Sequence, residues 1–221
     1  MGYHPVFLDL RGRSCVVVGG GAVAQQKVQS LLDAGARVTV VSPSLVDALE
    51  RLAATHEIVH HARAYRRGDL DAAALAYVAV DDETIQAAVA ADAAASGVPV
   101  NVVDVPRLCT FISPAVVRRD PVMVAISTGG ASPALARRLR EELEERVGHE
   151  YGVAAMILAR LRPVVQRAEA DPEARARTFA RLVEGPMLDA LRKRDTASVD
   201  AILRDAAGEG ATLQALGVEL R

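Results

Sequence analysis

Three things are scarce in this sequence: cysteine, long uncharged apolar runs, and an excess of charge of either sign. The two cysteines, Cys15 and Cys109, are too few and too far apart for a disulfide framework or a metal-binding spacing, so both are interpreted as reduced, packed side chains. No apolar run approaches the roughly eighteen residues that span a bilayer, and no signal-peptide pattern opens the chain. We therefore expect a cytoplasmic protein without a membrane partner.

The charge balance argues against a nucleic-acid partner. The formal net charge is −2 and the isoelectric point is about 6.2, whereas nucleic-acid binders usually carry clustered cations. The histidines are scattered, and the adjacent pair His60 and His61 falls in an apparent strand, where neighbouring side chains point to opposite faces. The sequence therefore predicts no metal site. With 51% hydrophobic residues, the chain can bury a domain of ordinary size plus a smaller one.

The most informative segment, CVVVGGGAVA at residues 15–24, reads as a strand, a phosphate-binding turn and a helix. Gly19 permits a tight turn, Gly21 lets the main chain approach a pyrophosphate, and Ala24 is small enough for the helix to pack on the strand. The free N–H groups of a helix beginning at Ala22 would face the pyrophosphate. A structural strand–helix–strand unit without a ligand is the alternative.

The segments that follow complete the unit. Residues 25–34 place Val28, Leu31 and Leu32 on one helical face, and residues 36–41 form an apolar, β-branched strand. That strand ends at Ser42, Pro43 and Ser44 without the usual acidic residue, so we expect hydroxyl or backbone groups to hold the ribose. No cation follows soon enough to meet a 2′-phosphate, which favours NAD over NADP.

Strands and helices continue to alternate through residue 104. Apolar runs predict strands at 57–61, 75–80 and 98–103, and Asp81 to Glu83 begins a helix that runs to about Ser96. This alternation is typical of an α/β, Rossmann-type doubly wound parallel sheet.

The pattern changes after Asp104. Residues 110–128 predict two or three antiparallel strands with a turn at 119–121. Ser132 and Pro133 then begin a helix whose apolar stripe reaches Val147, and the rest is helical in pattern, with breaks near 171–172, 185–186 and 208–210. We predict domains at 1–113 (NAD-binding), 114–147 (a small α+β dimerisation region) and 148–221 (helical). A homodimer is expected because the middle region lacks partners for its apolar surface.

Two further segments are candidates for chemistry. Asn101 and Asp104 would lie at the carboxyl edge of the parallel sheet, where ligands gather, and Asp104 is the candidate acid/base; the alternative is an aspartate that merely begins the turn before Pro106. Gly129 and Gly130 precede a helix start that suits a substrate carboxylate, or else they form an ordinary connection. Arginines in the segment 107–140 favour a polyanionic small molecule, or pair with nearby glutamates.

Residues 1 to about 147 resemble the family of precorrin-2 dehydrogenases and the N-terminal part of siroheme synthases. The segments that carry the resemblance are PVFLDL at 5–10, VVVGGGAVAQQK at 16–27, LLDAGARVTVVSP at 31–43, VNVVDVPRLCTFISPA at 100–115 and PVMVAISTGGASPALARRLRE at 121–141.

This resemblance implies NAD-dependent oxidation of precorrin-2 to sirohydrochlorin by a homodimer with exchanged strands. It implies catalysis by Asp104 and NAD contacts at Ala22, Val23, Pro43 and Ser44. Thr128 stands where many members carry serine before the paired glycines. Some members also insert ferrous iron into sirohydrochlorin. A NAD-sensing regulatory module without catalysis is the alternative function, although it gives Asp104 and Thr128 no role.

Overall fold

The computed structural model describes residues 2–220, and its contacts divide the chain between Ser113 and Pro114 into two compact units. In the first unit, five strands form one parallel sheet in the spatial order β3-β2-β1-β4-β5. The strands are β1 (Ser14–Val18), β2 (Arg37–Val41), β3 (Ile58–His61), β4 (Leu75–Val78) and β5 (Val100–Val102). The order reverses at β1, as in the predicted Rossmann-type sheet, so the predicted fold class is confirmed.

Alternating residues of β1 show why this sheet is buried on both faces. Cys15 and Val17 belong to one apolar cluster, and Val16 and Val18 belong to another. Successive side chains of a strand point to opposite faces, so a continuous apolar run is what a doubly covered parallel strand requires. Burial in the first cluster raises the pKa of the Cys15 thiol to about 11.

Three helices cover this sheet: α1 (Ala22–Asp33), α2 (Asp47–Ala54) and α3 (Glu83–Ser96). The helix α1 buries Val28 and Leu31 of the predicted apolar face, while Leu32 is half-buried. Ala24 is also buried, as its predicted packing on the strand requires. The helix α3 begins where predicted, because the Asp82 carboxylate accepts hydrogen bonds from the backbone N–H groups of Thr84 and Ile85.

The second unit combines a β-ribbon with five helices. The strands β6 (Ala115–Arg119) and β7 (Val122–Ile126) pair antiparallel. The helices are α4 (Pro133–Arg146), α5 (His149–Ala168), α6 (Pro172–Glu184), α7 (Met187–Arg192) and α8 (Thr196–Ala207). The core of this unit is built from the last four helices and from the segment after them. The predicted breaks near 171–172, 185–186 and 208–210 are present, whereas the break at 193–195 between α7 and α8 was not predicted.

Several predicted strands are shorter in the structure. The run 98–103 forms a strand only at Val100–Val102, and the run 75–80 only at Leu75–Val78. One residue beyond each strand, the Val103 and Ala79 N–H groups still donate to the Val78 and Val18 carbonyls. Residues 110–113 are not a strand; Thr110 folds back and donates its backbone N–H to the Val100 carbonyl at 2.8 Å. Within residues 2–220, no helix combines the length and apolarity needed to cross a bilayer. The predicted boundary at residues 147–148 stays a prediction.

Candidate active site

The turn between β1 and α1 is built on three consecutive glycines, of which Gly19 makes the tight turn. Its φ is +121°, a conformation that favours glycine, and its N–H donates to the Val41 carbonyl at 3.0 Å. A Cβ here would overlap the carbonyl oxygen of Ala79. The turn is therefore pressed against the end of β4.

The middle glycine, Gly20, has a role that the sequence analysis missed. A Cβ at Gly20 would overlap the Ser44 carbonyl and would lie 2.7 Å from the Ser42 hydroxyl. The Gly20 carbonyl also accepts a hydrogen bond from the Val46 N–H at 2.8 Å. Gly20 thus allows the loop after β2 to pack on the glycine turn. The sequence signal for this role is the run of three consecutive glycines, because the dinucleotide-binding motif needs only two of them.

The third glycine, Gly21, is open. It is the N-cap of α1 with φ −87° and ψ −172°, and an added Cβ would meet nothing within 4 Å. No side chain caps α1 and no acidic residue lies in its first turn. The N–H groups of the first turn, including those of Ala22 and Val23, lack intrahelical acceptors, and the helix dipole is positive there. The cradle therefore suits the pyrophosphate of a dinucleotide.

The loop after β2 uses its two serines differently. Ser42 is buried, and its hydroxyl donates to the Ser44 carbonyl at 2.7 Å, while the His60 ring contacts the Ser42 carbonyl at 2.9 Å. Pro43 and Ser44 are exposed beside the glycine turn. The hydroxyl that is free to meet a ribose is therefore that of Ser44, and His60 helps to hold the loop.

Asp104 lies at the carboxyl end of β5, on the same edge of the parallel sheet as the glycine turn. Its φ is +59°, a left-handed conformation that aspartate tolerates better than most residues. The side chain is exposed and forms no hydrogen bond with the described part of the chain. Non-glycine residues in this conformation occur often at functional sites.

The loop beyond Asp104 is tied back to β5. The Asn101 side chain donates to the Phe111 carbonyl at 3.0 Å, and the Cys109 thiol donates to the Val102 carbonyl at 3.1 Å. Burial raises the pKa of Cys109, so its thiol stays protonated. Asn101 therefore holds the loop in place, and its predicted contact with substrate stays a prediction.

An aromatic pair and a lysine, both missed by the sequence analysis, line the same region. The Lys27 ammonium lies 5.3 Å from the centre of the Tyr77 ring, and that ring meets Phe111 edge-on with centres 5.4 Å apart. The Tyr77 hydroxyl is hydrogen-bonded to the Ser113 hydroxyl at 3.0 Å. From its spacing, Lys27 looks like an ordinary solvated helix residue, so only the fold reveals it.

In the second unit, the segment 127–132 forms a closed turn. The Thr128 hydroxyl donates to the Ser132 carbonyl at 3.0 Å and accepts from the Ser132 N–H at 3.1 Å. Gly129 and Gly130 have positive φ, and a Cβ at either would meet nothing within 4 Å. Thr128 therefore shapes the turn, while the two glycines keep its outer side open.

Three of the candidate arginines pair along α4. Arg137, Arg138 and Arg140 form ion pairs with the glutamates four residues later, at 3.0, 2.8 and 2.6 Å. Exposed pairs of this kind add little stability and still leave the guanidinium groups in reach of a ligand. Across residues 2–220, no group of three His, Cys, Asp or Glu side chains could hold a metal ion.

Comparison with family models assigns nearly the whole chain. Residues 6–115 match a model described as putative NAD(P)-binding, residues 119–146 match the sirohaem biosynthesis protein central region, and residues 150–206 match the sirohaem synthase dimerisation region.

Curated relatives agree with these models. The chain is 42% identical over 211 residues to a siroheme synthase of Methylococcus capsulatus, covering 96% of this chain and 44% of the relative. It is 44% identical over 189 residues to a siroheme synthase of Thioalkalivibrio sulfidiphilus, covering 86% and 39%. The chain thus spans less than half the length of these relatives.

A solved structure described as SirC, precorrin-2 dehydrogenase, shares the fold. The two superpose with a TM-score of 0.76 at 24% identity, covering 92% of this chain and 98% of that chain.

Proposed function

The chain belongs to the siroheme synthase and precorrin-2 dehydrogenase family, and from that premise we propose that it oxidises precorrin-2 to sirohydrochlorin with NAD. The observation that carries the proposal is the placement of Asp104. An exposed carboxylate without hydrogen bonds lies on the same sheet edge as an open, uncapped turn that suits a dinucleotide.

NAD is the cofactor in this proposal. Gly19 and Gly21 form the cradle, Ala22 and Val23 present N–H groups to the pyrophosphate, and Pro43 and Ser44 meet the adenosine ribose. Ser42 contributes through its backbone, because its hydroxyl is already engaged. The absence of a cation in the loop after β2 favours NAD over NADP.

The chemistry divides between the cofactor and the chain. When bound, NAD accepts the hydride that leaves the substrate carbon. Asp104 receives the proton released in the same two-electron oxidation, at a carboxylate oxygen that no other described group occupies. Two separate contacts with the anionic periphery of a tetrapyrrole are proposed, one at Asn101 in the first unit and one at Thr128, Gly129 and Gly130 in the second unit. Backbone N–H groups and nearby arginines bind carboxylates well.

The protein is proposed to act as a homodimer in the cytoplasm, and the match to a dimerisation region supports the first part. Iron insertion into sirohydrochlorin stays a prediction. So does the regulatory alternative, in which NAD binds without catalysis.

The decisive test is anaerobic oxidation of precorrin-2 with saturating NAD by Asp104→Asn. The amide cannot accept a proton at neutral pH, so the rate should fall roughly 10²- to 10⁴-fold. Asparagine also tolerates positive φ, so the melting temperature and its shift with NAD should stay near wild type. Asp33→Asn, an exposed carboxylate at the far end of α1, is the matched control.

A rate for Asp104→Asn within about twofold of wild type would remove Asp104 from the catalytic role. If the wild type melts at a higher temperature with NAD but forms no sirohydrochlorin, the regulatory alternative is favoured instead.

A further inference from the structure

The strand β5 lies at one edge of the parallel sheet, and side chains of the loop beyond Asp104 cover its free side. The Val100 N–H donates to the Thr110 hydroxyl at 2.8 Å, and the Thr110 N–H donates to the Val100 carbonyl at 2.8 Å. Two residues further along β5, the Val102 N–H donates to the Cys109 sulfur at 3.3 Å. Because the backbone groups of a strand edge need partners, these bonds fix the loop to β5 at two points.

The Cys109 sulfur closes the segment that carries Asp104. Its thiol donates to the Val102 carbonyl at 3.1 Å, and the Val105 carbonyl lies 3.4 Å from the same sulfur. Val102 comes two residues before Asp104 and Val105 comes one residue after it. Thiols are weak hydrogen-bond donors and acceptors, but here one half-buried sulfur contacts the backbone on both sides of the candidate acid/base.

Asp104 depends on its backbone for its position. Its φ of +59° is a conformation that a non-glycine residue keeps only where its surroundings impose it. Its carboxylate forms no hydrogen bond within residues 2–220, so no side-chain contact orients it. On one side, the Val103 N–H donates to the Val78 carbonyl at 2.9 Å and ties the chain to β4. The contacts of Cys109 complete the support across the loop.

We propose that Cys109 is a positioning residue of the dehydrogenation, which acts through Asp104 and rests on the function proposed above. By holding the carbonyls of Val102 and Val105, the thiol keeps Asp104 in its left-handed conformation at the carboxyl edge of the sheet. The sulfur itself takes no part in the chemistry. A catalytic group displaced by about 1 Å can lose roughly 100-fold in rate, so loss of the thiol should slow the chemical step and leave binding unchanged.

Three variants test the contacts of Cys109. Cys109→Ala removes the donor and the acceptor, Cys109→Ser keeps both, and Cys15→Ala removes the other thiol of the same unit as the matched control. We expect Cys109→Ala to lose roughly ten- to hundred-fold in kcat. KM for precorrin-2 and the melting shift with NAD should change little. Cys109→Ser should recover most of the rate. Cys15→Ala leaves a cavity in the core, so it should melt at a lower temperature and keep the wild-type kcat.

A double variant shows whether Cys109 acts through Asp104. Once the carboxylate is absent, its position no longer matters, so adding Cys109→Ala to Asp104→Asn should change the rate by no more than about twofold. A further tenfold loss in the double variant would overturn the inference, because the sulfur would then act on another group. A Cys109→Ala rate within twofold of wild type would overturn it as well, and so would a Cys109→Ser rate no better than that of Cys109→Ala.

A second measurement does not depend on activity. Amide hydrogen exchange, followed by NMR, reports the bond from the Val102 N–H to the sulfur. This amide should exchange at least roughly tenfold faster in Cys109→Ala, because it loses its acceptor, and should stay protected in Cys109→Ser and Cys15→Ala. Unchanged exchange at Val102 in an active enzyme would overturn the inference alone. Faster exchange at Val102, together with a wild type that forms no sirohydrochlorin, would instead refute the proposed function and the catalytic meaning of the contact with it.

Discussion

At the residue scale, Gly21 differs from the two glycines before it because a side chain there would meet no other atom within 4 Å. Its φ of −87° also suits any residue. As the N-cap of α1, it occupies a position where aspartate and asparagine are preferred. A side chain at Gly21 should therefore disturb a bound pyrophosphate without disturbing the fold.

Gly21→Asp should fold and lose NAD binding, because the new carboxylate fills and charges the anion cradle. In the wild type, NAD at a hundred times its dissociation constant should stabilise the folded state by about 2.7 kcal/mol, which thermal melting will show. The neutral isostere Gly21→Asn should retain more of that shift. Gly20→Ala provides the contrast, since its Cβ overlaps Ser44 and should destabilise the apo-protein by roughly 1–3 kcal/mol. A full NAD shift in folded Gly21→Asp would refute the placement.

The residues that sequence alone located are those whose role follows from local pattern. Gly19, Gly21 and Asp104 were predicted at the sheet edge because strand runs and turns fix where each chain segment ends. The role of Gly20 and the place of Lys27 depend on which loop or strand packs beside them. Those contacts join residues far apart in sequence, so periodicity carries no signal for them.

At the element scale, two aspartates fasten the irregular connection between β3 and β4. The Asp69 carboxylate accepts two hydrogen bonds from the Arg63 guanidinium at 2.7 Å, and Asp92 of α3 accepts from the Tyr65 hydroxyl at 2.6 Å. Asp92 also accepts from the Gly68 N–H at 3.2 Å. The hydrogen bond from Tyr65 is the main cause that lowers the pKa of Asp92. The hydrogen bonds from Arg63 are the main cause that lowers the pKa of Asp69.

This lowered pKa predicts an acid-sensitive connection. A carboxylate with a lowered pKa contributes its full stability at pH values above its pKa in the unfolded chain, near 3.9. That contribution is lost as the pH falls through the pKa of the same group in the folded protein. Tyr65→Phe removes the main cause of that shift, and should cost about 1 kcal/mol at neutral pH. The difference in the free energy of unfolding between Tyr65→Phe and the wild type, the deficit of the variant, should shrink below about pH 4.

Chemical denaturation from pH 7 to 2 would measure this deficit. Tyr3→Phe, at an exposed tyrosine, is the matched control and should show no deficit at any pH. A Tyr65→Phe deficit that stays constant down to pH 2 would contradict the assignment.

At the scale of the whole molecule, the described residues of the second unit leave apolar side chains partly exposed. The helix α4 has no buried residue, although Leu135, Leu139, Leu143 and Val147 form the apolar stripe that its sequence predicts. In the adjoining ribbon, Val117 is buried while Met123 is exposed. Contiguous apolar surface of this kind usually marks an interface, and residues 150–206 match a dimerisation region.

We therefore expect sedimentation velocity to show a homodimer at micromolar concentration. Leu135 is 51% exposed, so Leu135→Glu should fold normally and should shift the protein towards monomer by placing a charge in the interface. Val59→Glu, at a 56% exposed position on β3 in the first unit, is the matched control and should leave the dimer intact. A wild-type monomer at this concentration would count decisively against the homodimer. If Leu135→Glu instead dimerises as tightly as wild type, the interface lies elsewhere than on the α4 stripe.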